Sequence, residues 1–311
     1  MGLLEPRLDA AESVFFARQL ESIDSRIYQK LYAETKARQL IPTQGGVSED
    51  ALVYTWRMMD SFGQAKIIAN AADDLPSADM SGVESSVTIK ELGLSYGWDL
   101  REIKAAMRGG FDLDGEKAMA CRRGIDRLVD DLLSDGSSLH GITGFLNISG
   151  MPTYTLSTKS GGGVLWANGT PDEIASDLTG IVTARKLALK GAGGPEFDRF
   201  VIVIPIDKYA LIAQTRMGDG SDKTILKFVL ETSPWITAIE PWSKCTGSGG
   251  GATDRMVCYV RDPAVVSAVV PQEFRAQPPL QKNLRYVINC TASCGGVVAR
   301  YLVAMAYADG L

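Results

Sequence analysis

Histidine is almost absent: the 311 residues contain one, His140. Sites built on two imidazoles are excluded, and a Ser-His-Asp or Cys-His machine would have to run on that single residue. His140 lies between Gly136-Ser-Ser and Gly141, a turn context, and reads as a loop residue without chemistry. Basic charge is also scarce, with 32 Lys and Arg against 37 Asp and Glu and a formal charge of -5. A surface built to read DNA neutralises many phosphates and does not fit that balance, whereas loose enclosure of nucleic acid does. The longest apolar run near the C-terminal end, Tyr301 to Ala308, falls far short of the roughly 20 residues that span a bilayer. Five cysteines, an odd number, in a chain that opens without a charged and apolar leader predict free thiols, a reducing compartment and a soluble intracellular product.

What is present is an ordinary folded composition, 45% apolar and 22% charged, at a length of about two average domains. A chain of this size buries enough surface to fold without disulfide or metal staples. Asp9 with Glu12 forms an acidic capping box, and Phe16, Leu20, Ile23, Ile27 and Leu31 then recur at helical spacing. This predicts an amphipathic helix to about Arg38, stopped by Pro42 and Gly45-Gly46, and so an N-terminal arm. Val53–Met58 and Ser86–Leu92 read as strands, and the stretch from Ser61 to Pro76 between them is too long for a tight hairpin and too apolar for a solvated linker. Such a loop needs a surface to cover.

Asp99-Leu-Arg-Glu102 is a second capping box, opening a helix that Gly109-Gly110 interrupts and that resumes after Asp114. From there to about Asp135, Ala118, Cys121, Ile125, Leu128, Val129 and Leu132 form one apolar stripe of a long spine. Arg122/Asp126 and Arg127/Asp131 stand four apart on its outer face. Thr170-Pro-Asp-Glu173 starts a further helix carrying Ile174, Leu178, Ile181, Val182 and Leu187. Arg199–Pro205 then reads as a buried strand, 207–217 and 223–231 as helices, and 235–240 and 256–261 as strands, an alternation that predicts a mixed α/β segment. Leu284–Thr291 and Val297–Ala306, on either side of Gly295-Gly296, are expected to pair as a long antiparallel hairpin.

Chemical motifs are few. Cys245, Cys258, Cys290 and Cys294 could supply four thiolates for zinc, but Cys245 and Cys258 are not spaced as a knuckle and Cys290 ends a predicted strand. Gly161–Gly163 and Gly247–Gly251 lack the helix start and the Gly-Lys-Ser/Thr ending of a phosphate loop. Asp73-Asp74 is placed on the projecting loop and Asp130-Asp131 on a solvated helix face. An arm, a projecting loop, a spine and two mixed segments gain burial by lying on neighbouring copies, which is the logic of a self-assembling lattice.

Three stretches carry a family resemblance. Gly63-Gln-Ala-Lys-Ile-Ile through Asp73-Asp-Leu-Pro76 resembles an extended loop, and Tyr96-Gly-Trp-Asp-Leu-Arg-Glu-Ile-Lys-Ala-Ala106 resembles the approach to a spine helix. Gly136 followed by Gly141-Ile-Thr-Gly144-Phe-Leu-Asn147 is similar to a turn that follows such a helix. Together they resemble the major capsid proteins of tailed bacteriophages, which share the Hong Kong 97-like fold. The resemblance implies an α+β chain divided into an N-terminal arm (1–46), an extended β-hairpin loop (47–95), a peripheral domain with the spine helix (96–171), an axial domain (172–270) and C-terminal strands returning to the peripheral domain (271–311). It implies self-assembly through pentamers and hexamers into the icosahedral head of a tailed phage enclosing double-stranded DNA. Portal, scaffolding and decoration proteins are the further partners, DNA contact is nonspecific, and no membrane is involved. The protein would occupy the host cytoplasm during assembly and then the virion, with no enzymatic activity, cofactor, metal or catalytic residue. The alternatives are a bacterial nanocompartment shell of encapsulin type and a small enzyme using His140.

Overall fold

The computed structural model describes residues 35–63, 77–99, 101–102, 113–192, 194–218, 222–283 and 285–311. The helix from Asp9, except its last residues, the loop word beyond Gly63, Asp73-Asp74 and the Gly109-Gly110 interruption lie outside them. The chain divides into Met1–Glu34 and one compact unit, Thr35–Leu311, which is the part described below.

That unit opens with a short helix α1 (Ala37–Leu40), whose first amide donates to Asp130 Oδ1 at 2.8 Å. Strands β1 (Val53–Phe62) and β2 (Asp79–Thr88) form an antiparallel ladder running from Val53 opposite Thr88 to Phe62 opposite Asp79. Strand β3 (Lys90–Asp99) follows at once, so the single strand expected over Ser86–Leu92 is two strands meeting at Ile89. Ile89 is buried against Val269 and Val298, and this pins the chain where β2 turns away with β1 and β3 turns away with another sheet.

The spine helix α2 (Leu113–Ser134) buries Cys121, Ile125, Val129, Leu132 and Leu133. Leu128, expected in that stripe, is 44% exposed, whereas Leu133, on the other edge of the buried face, is fully buried. The Arg122–Asp126 pair forms at 3.7 Å, whereas Asp131 binds Lys244 Nζ at 2.5 Å. Asp130 is not on a solvated face: it is buried beneath α1 as the acceptor for Ala37.

Beyond the spine, β4 (Gly136–Ser137) and β5 (Ile142–Thr143) pair around a turn at Ser138–His140. Helix α3 (Pro171–Gly191) carries the full capping box: the Thr170 amide donates to Glu173 Oε2 at 2.8 Å, and the Glu173 amide donates to Thr170 Oγ1. Strand β6 (Phe200–Ile204) is buried throughout and leads through α4 (Ile206–Gln214) and α5 (Ile225–Thr232) to the parallel strand β7 (Ile236–Pro241). With β8 (Arg255–Val260), and with β14 (Ala306–Asp309) from the chain's end, these make one sheet ordered β14-β8-β6-β7.

The remaining strands are β9 (Val266–Val269), β10 (Arg275–Ala276), β11 (Leu280–Lys282), β12 (Arg285–Cys294) and β13 (Gly296–Ala299). The expected C-terminal hairpin does not form. Strand β12 pairs along its length with β3, while β13 pairs with β9 and β14 with β8. Between β12 and β13, Gly296 takes φ +80°, a left-handed conformation glycine adopts readily, and lies so close to β5 that an added Cβ would stand 2.5 Å from Thr143 O.

Candidate assembly surface

The residues that might have carried chemistry do not converge. His140 is exposed at the end of its turn and lines neither the 870 Å³ polar groove beside β3 and β12 nor the 210 Å³ hollow at Phe197 and Trp235. All five cysteines are free and buried. Burial pushes the Cys245 and Cys258 thiols up to about 12, far from the thiolate that zinc requires. Among the described residues no group of three or more His, Cys, Asp or Glu is placed to hold a metal ion, and no helix is long and apolar enough to cross a membrane.

Charged groups instead tie parts of the chain together. Lys159 and Asp177 form a fully buried pair, joined by Ser157 Oγ on Asp177 Oδ1 and Trp166 Nε1 on Oδ2, both at 3.0 Å. Sequence reading missed this cluster, although an aspartate inside the stripe Ile174, Leu178, Ile181 was its signal. Asp309 accepts Arg255 Nε at 2.7 Å and Nη2 at 2.8 Å, and Arg255 also donates to Leu146 O. Burial works against ionisation of Asp309, but the bonds from Arg255 and the Gly250 amide outweigh it and hold the carboxyl below its ordinary value. A depressed folded-state value stabilises above the unfolded one and is lost as pH falls through the folded one. The stability gap between wild type and Asp309→Asn is therefore expected to be full at pH 7 and to shrink below about pH 4, as read by urea midpoints across pH.

The unusual surface is the β1–β2 hairpin. Its base is anchored: Tyr54, Trp56 and Val87 pack on Ile89, Val269 and Val298, and the Tyr54 and Trp56 rings stack at 6.0 Å. Arg300 Nη2 donates to Tyr54 Oη and Gln44 Oε1, both at 2.9 Å, tying that base to the start of the unit. Further out, Met58, Met59, Phe62, Met80 and Val83 are exposed on a ribbon of two strands. A two-stranded hairpin is marginal on its own in water, and apolar side chains gathered on one projecting element mark a surface awaiting a partner.

Comparison with known proteins gives this surface its context. A sequence model of the major capsid protein family matches residues 63–311. In structure the chain is similar to the capsid protein of Myoviridae phage XM1, at 19% identity and a TM-score of 0.79, over 96% of this chain and 100% of that one. It is also similar to the capsid of a native GTA particle (13% identity, TM-score 0.66, 97% and 99% covered) and to Gordonia phage Cozz (16% identity, TM-score 0.59, 99% and 98% covered). Among curated proteins none matches in sequence. The mixed helix and sheet architecture is thus the Hong Kong 97-like capsid fold. The chain belongs to the major capsid protein family, and it is a virion component that assembles with copies of itself.

Proposed function

We propose that this subunit closes, through pentamers and hexamers, into an icosahedral shell around double-stranded DNA, with each β1–β2 hairpin covering part of an adjacent subunit. The exposure of Met58, Met59, Phe62, Met80 and Val83 together on the outer half of one two-stranded hairpin is the observation that carries this reading. In it, residues 1–46 act as the arm, 47–95 as the extended loop, 96–171 as the peripheral domain, 172–270 as the axial domain, and 271–311 return toward the peripheral domain. Assembly takes place in the host cytoplasm with scaffolding, portal and decoration proteins, and the subunit works as a wall without catalysis. Contact with the genome is weak and nonspecific, since tight phosphate binding would oppose both filling and release, and an acidic chain of formal charge -5 suits that need.

Replacing residues 58–83 with a short glycine-containing turn tests the reading. Tyr54, Trp56 and Val87 stay in place, so the anchored base remains. The expected product is a folded, soluble subunit with a wild-type melting profile that sediments as small species and forms no shells. Normal particles from this variant would overturn the assignment.

A further inference from the structure

Two of the buried cysteines come together without being joined. Along β12, Ile288, Cys290, Ala292 and Cys294 are buried while Asn289 is exposed, so Cys290 faces inward. Cys290 stands directly opposite Leu94 of β3, and residues so paired share one face of the sheet. Leu94 in turn leans on the spine: a Cβ added at Gly124 would lie 2.9 Å from its Cδ2. Cys121 is three residues before Gly124 and therefore on the same side of α2, which brings it beside Cys290. The two thiols are in hydrogen-bond contact, and the residues are 3% and 0% exposed. The other cysteines are placed differently. Cys294 lies four residues on, about 13 Å along the strand, and its Sγ accepts the Gly296 amide at 3.4 Å. Cys258 belongs to β8, and Cys245 follows β7.

We propose that Cys121 and Cys290 form a disulfide bond when the protein meets an oxidant of the peroxide class, stapling the spine helix to the sheet of β3 and β12. One thiol attacks the peroxide: a sulfur–oxygen bond forms, the oxygen–oxygen bond breaks and water leaves. The second sulfur then displaces the hydroxyl of that sulfenic acid, so the sulfur–sulfur bond forms and a second water carries off the proton. Two thiols are oxidised and one peroxide is reduced, with two electrons transferred. Burial, and after it the contact with Cys290, push the Cys121 thiol up to about 12, so little thiolate exists at neutral pH and the reaction is slow. Among reductants the pair stays open, and the bond closes on prolonged exposure to an oxidising medium. Because the two residues are far apart in the chain, the bond removes many unfolded conformations and raises stability. It is internal to each subunit and does not depend on where the hairpin lies.

Millimolar hydrogen peroxide, applied overnight to the purified full-length protein and followed by iodoacetamide in denaturant, tests it. Before treatment all five thiols are expected to be alkylated, and afterwards two fewer. Peptide mapping is expected to join the segment holding Cys121 to the segment holding Cys290, and dithiothreitol to restore every thiol. The oxidised protein is expected to melt about 5 °C or more above the reduced one. Cys290→Ala, treated alike, is expected to keep its other thiols and to melt at the same temperature with and without peroxide. Full alkylation of the treated wild type, a link made by any other cysteine in place of this pair, or oxidation of Cys121 to its sulfinic acid without a link would overturn the proposal. A mapped bond with no rise in melting temperature would overturn the staple. These wild-type readouts decide the matter even where the alanine variant fails to fold.

Discussion

Lys159→Met is expected to lower the folding stability of the subunit by about 3–5 kcal/mol, because it strands a buried carboxylate without its counter-charge. The side chains of Lys159 and Asp177 are 0% and 1% exposed, and the same loop is also tied to α3 by Ser157 on Asp177 and by Ser160 on Glu173. After substitution, Asp177 keeps only the neutral donors Ser157 and Trp166. Hydrogen bonds from neutral groups are weaker than charge-assisted ones and do not restore the lost solvation. The double variant Lys159→Met/Asp177→Leu removes both charges and replaces them with apolar volume, so it is expected to regain most of the loss. Urea midpoints for the two variants decide the matter: equal loss in both would mean that packing, not the stranded charge, sets the effect.

Gly144→Val is expected to destabilise by about 3 kcal/mol or more, through backbone displacement at the end of the spine. An added Cβ at Gly144 would overlap the Asp135 carbonyl carbon and the Gly136 nitrogen, with Ser134 O only 2.6 Å away. No rotamer relieves such a clash, because the obstacles are main-chain atoms. The turn it would move caps the helix. Phe145 and Leu146 amides donate to Leu133 O and Ser134 O at 2.8 and 2.9 Å, and Asn147 Nδ2 donates to Asp135 O at 2.9 Å. Carbonyls left unpaired at a helix C-terminus are thereby satisfied. Phe145, fully buried, meets Tyr259 edge-on at 5.0 Å, so the same turn joins the spine to the β14-β8-β6-β7 sheet. Thermal melts are expected to show Gly144→Val far below wild type and Asn147→Ala only slightly below it. A near-native melt for the valine variant would mean that the turn can open.

Local signals were legible because their physics is local. Thr170 and Glu173 sit three residues apart and cap each other whatever surrounds them, and the stripe from Cys121 to Leu132 announces its helix through spacing alone. Pairings across the chain were not. Nothing in the words around Leu284 and Val297 says that β12 would choose β3, since strand propensity does not name a partner. The close approach of Gly296 to Thr143, more than a hundred and fifty residues earlier, is equally invisible in the sequence. Asp130 and Asp131 look alike in sequence, yet one is buried as a cap for α1 and the other is held by Lys244, because only the fold shows which direction each faces. The apolar stretch expected from Ser61 to Pro76 lies almost wholly outside the described residues, and which exposed apolar side chains of the hairpin share a face emerged only from the register of β1 with β2.

Electron cryomicroscopy of particles assembled from the purified protein tests the central claim most directly. The expected result is a closed shell in which Met58, Phe62 and Val83 of every hairpin are buried against a neighbouring subunit. A shell in which those side chains remain in solvent, or fold back over their own subunit, would contradict it.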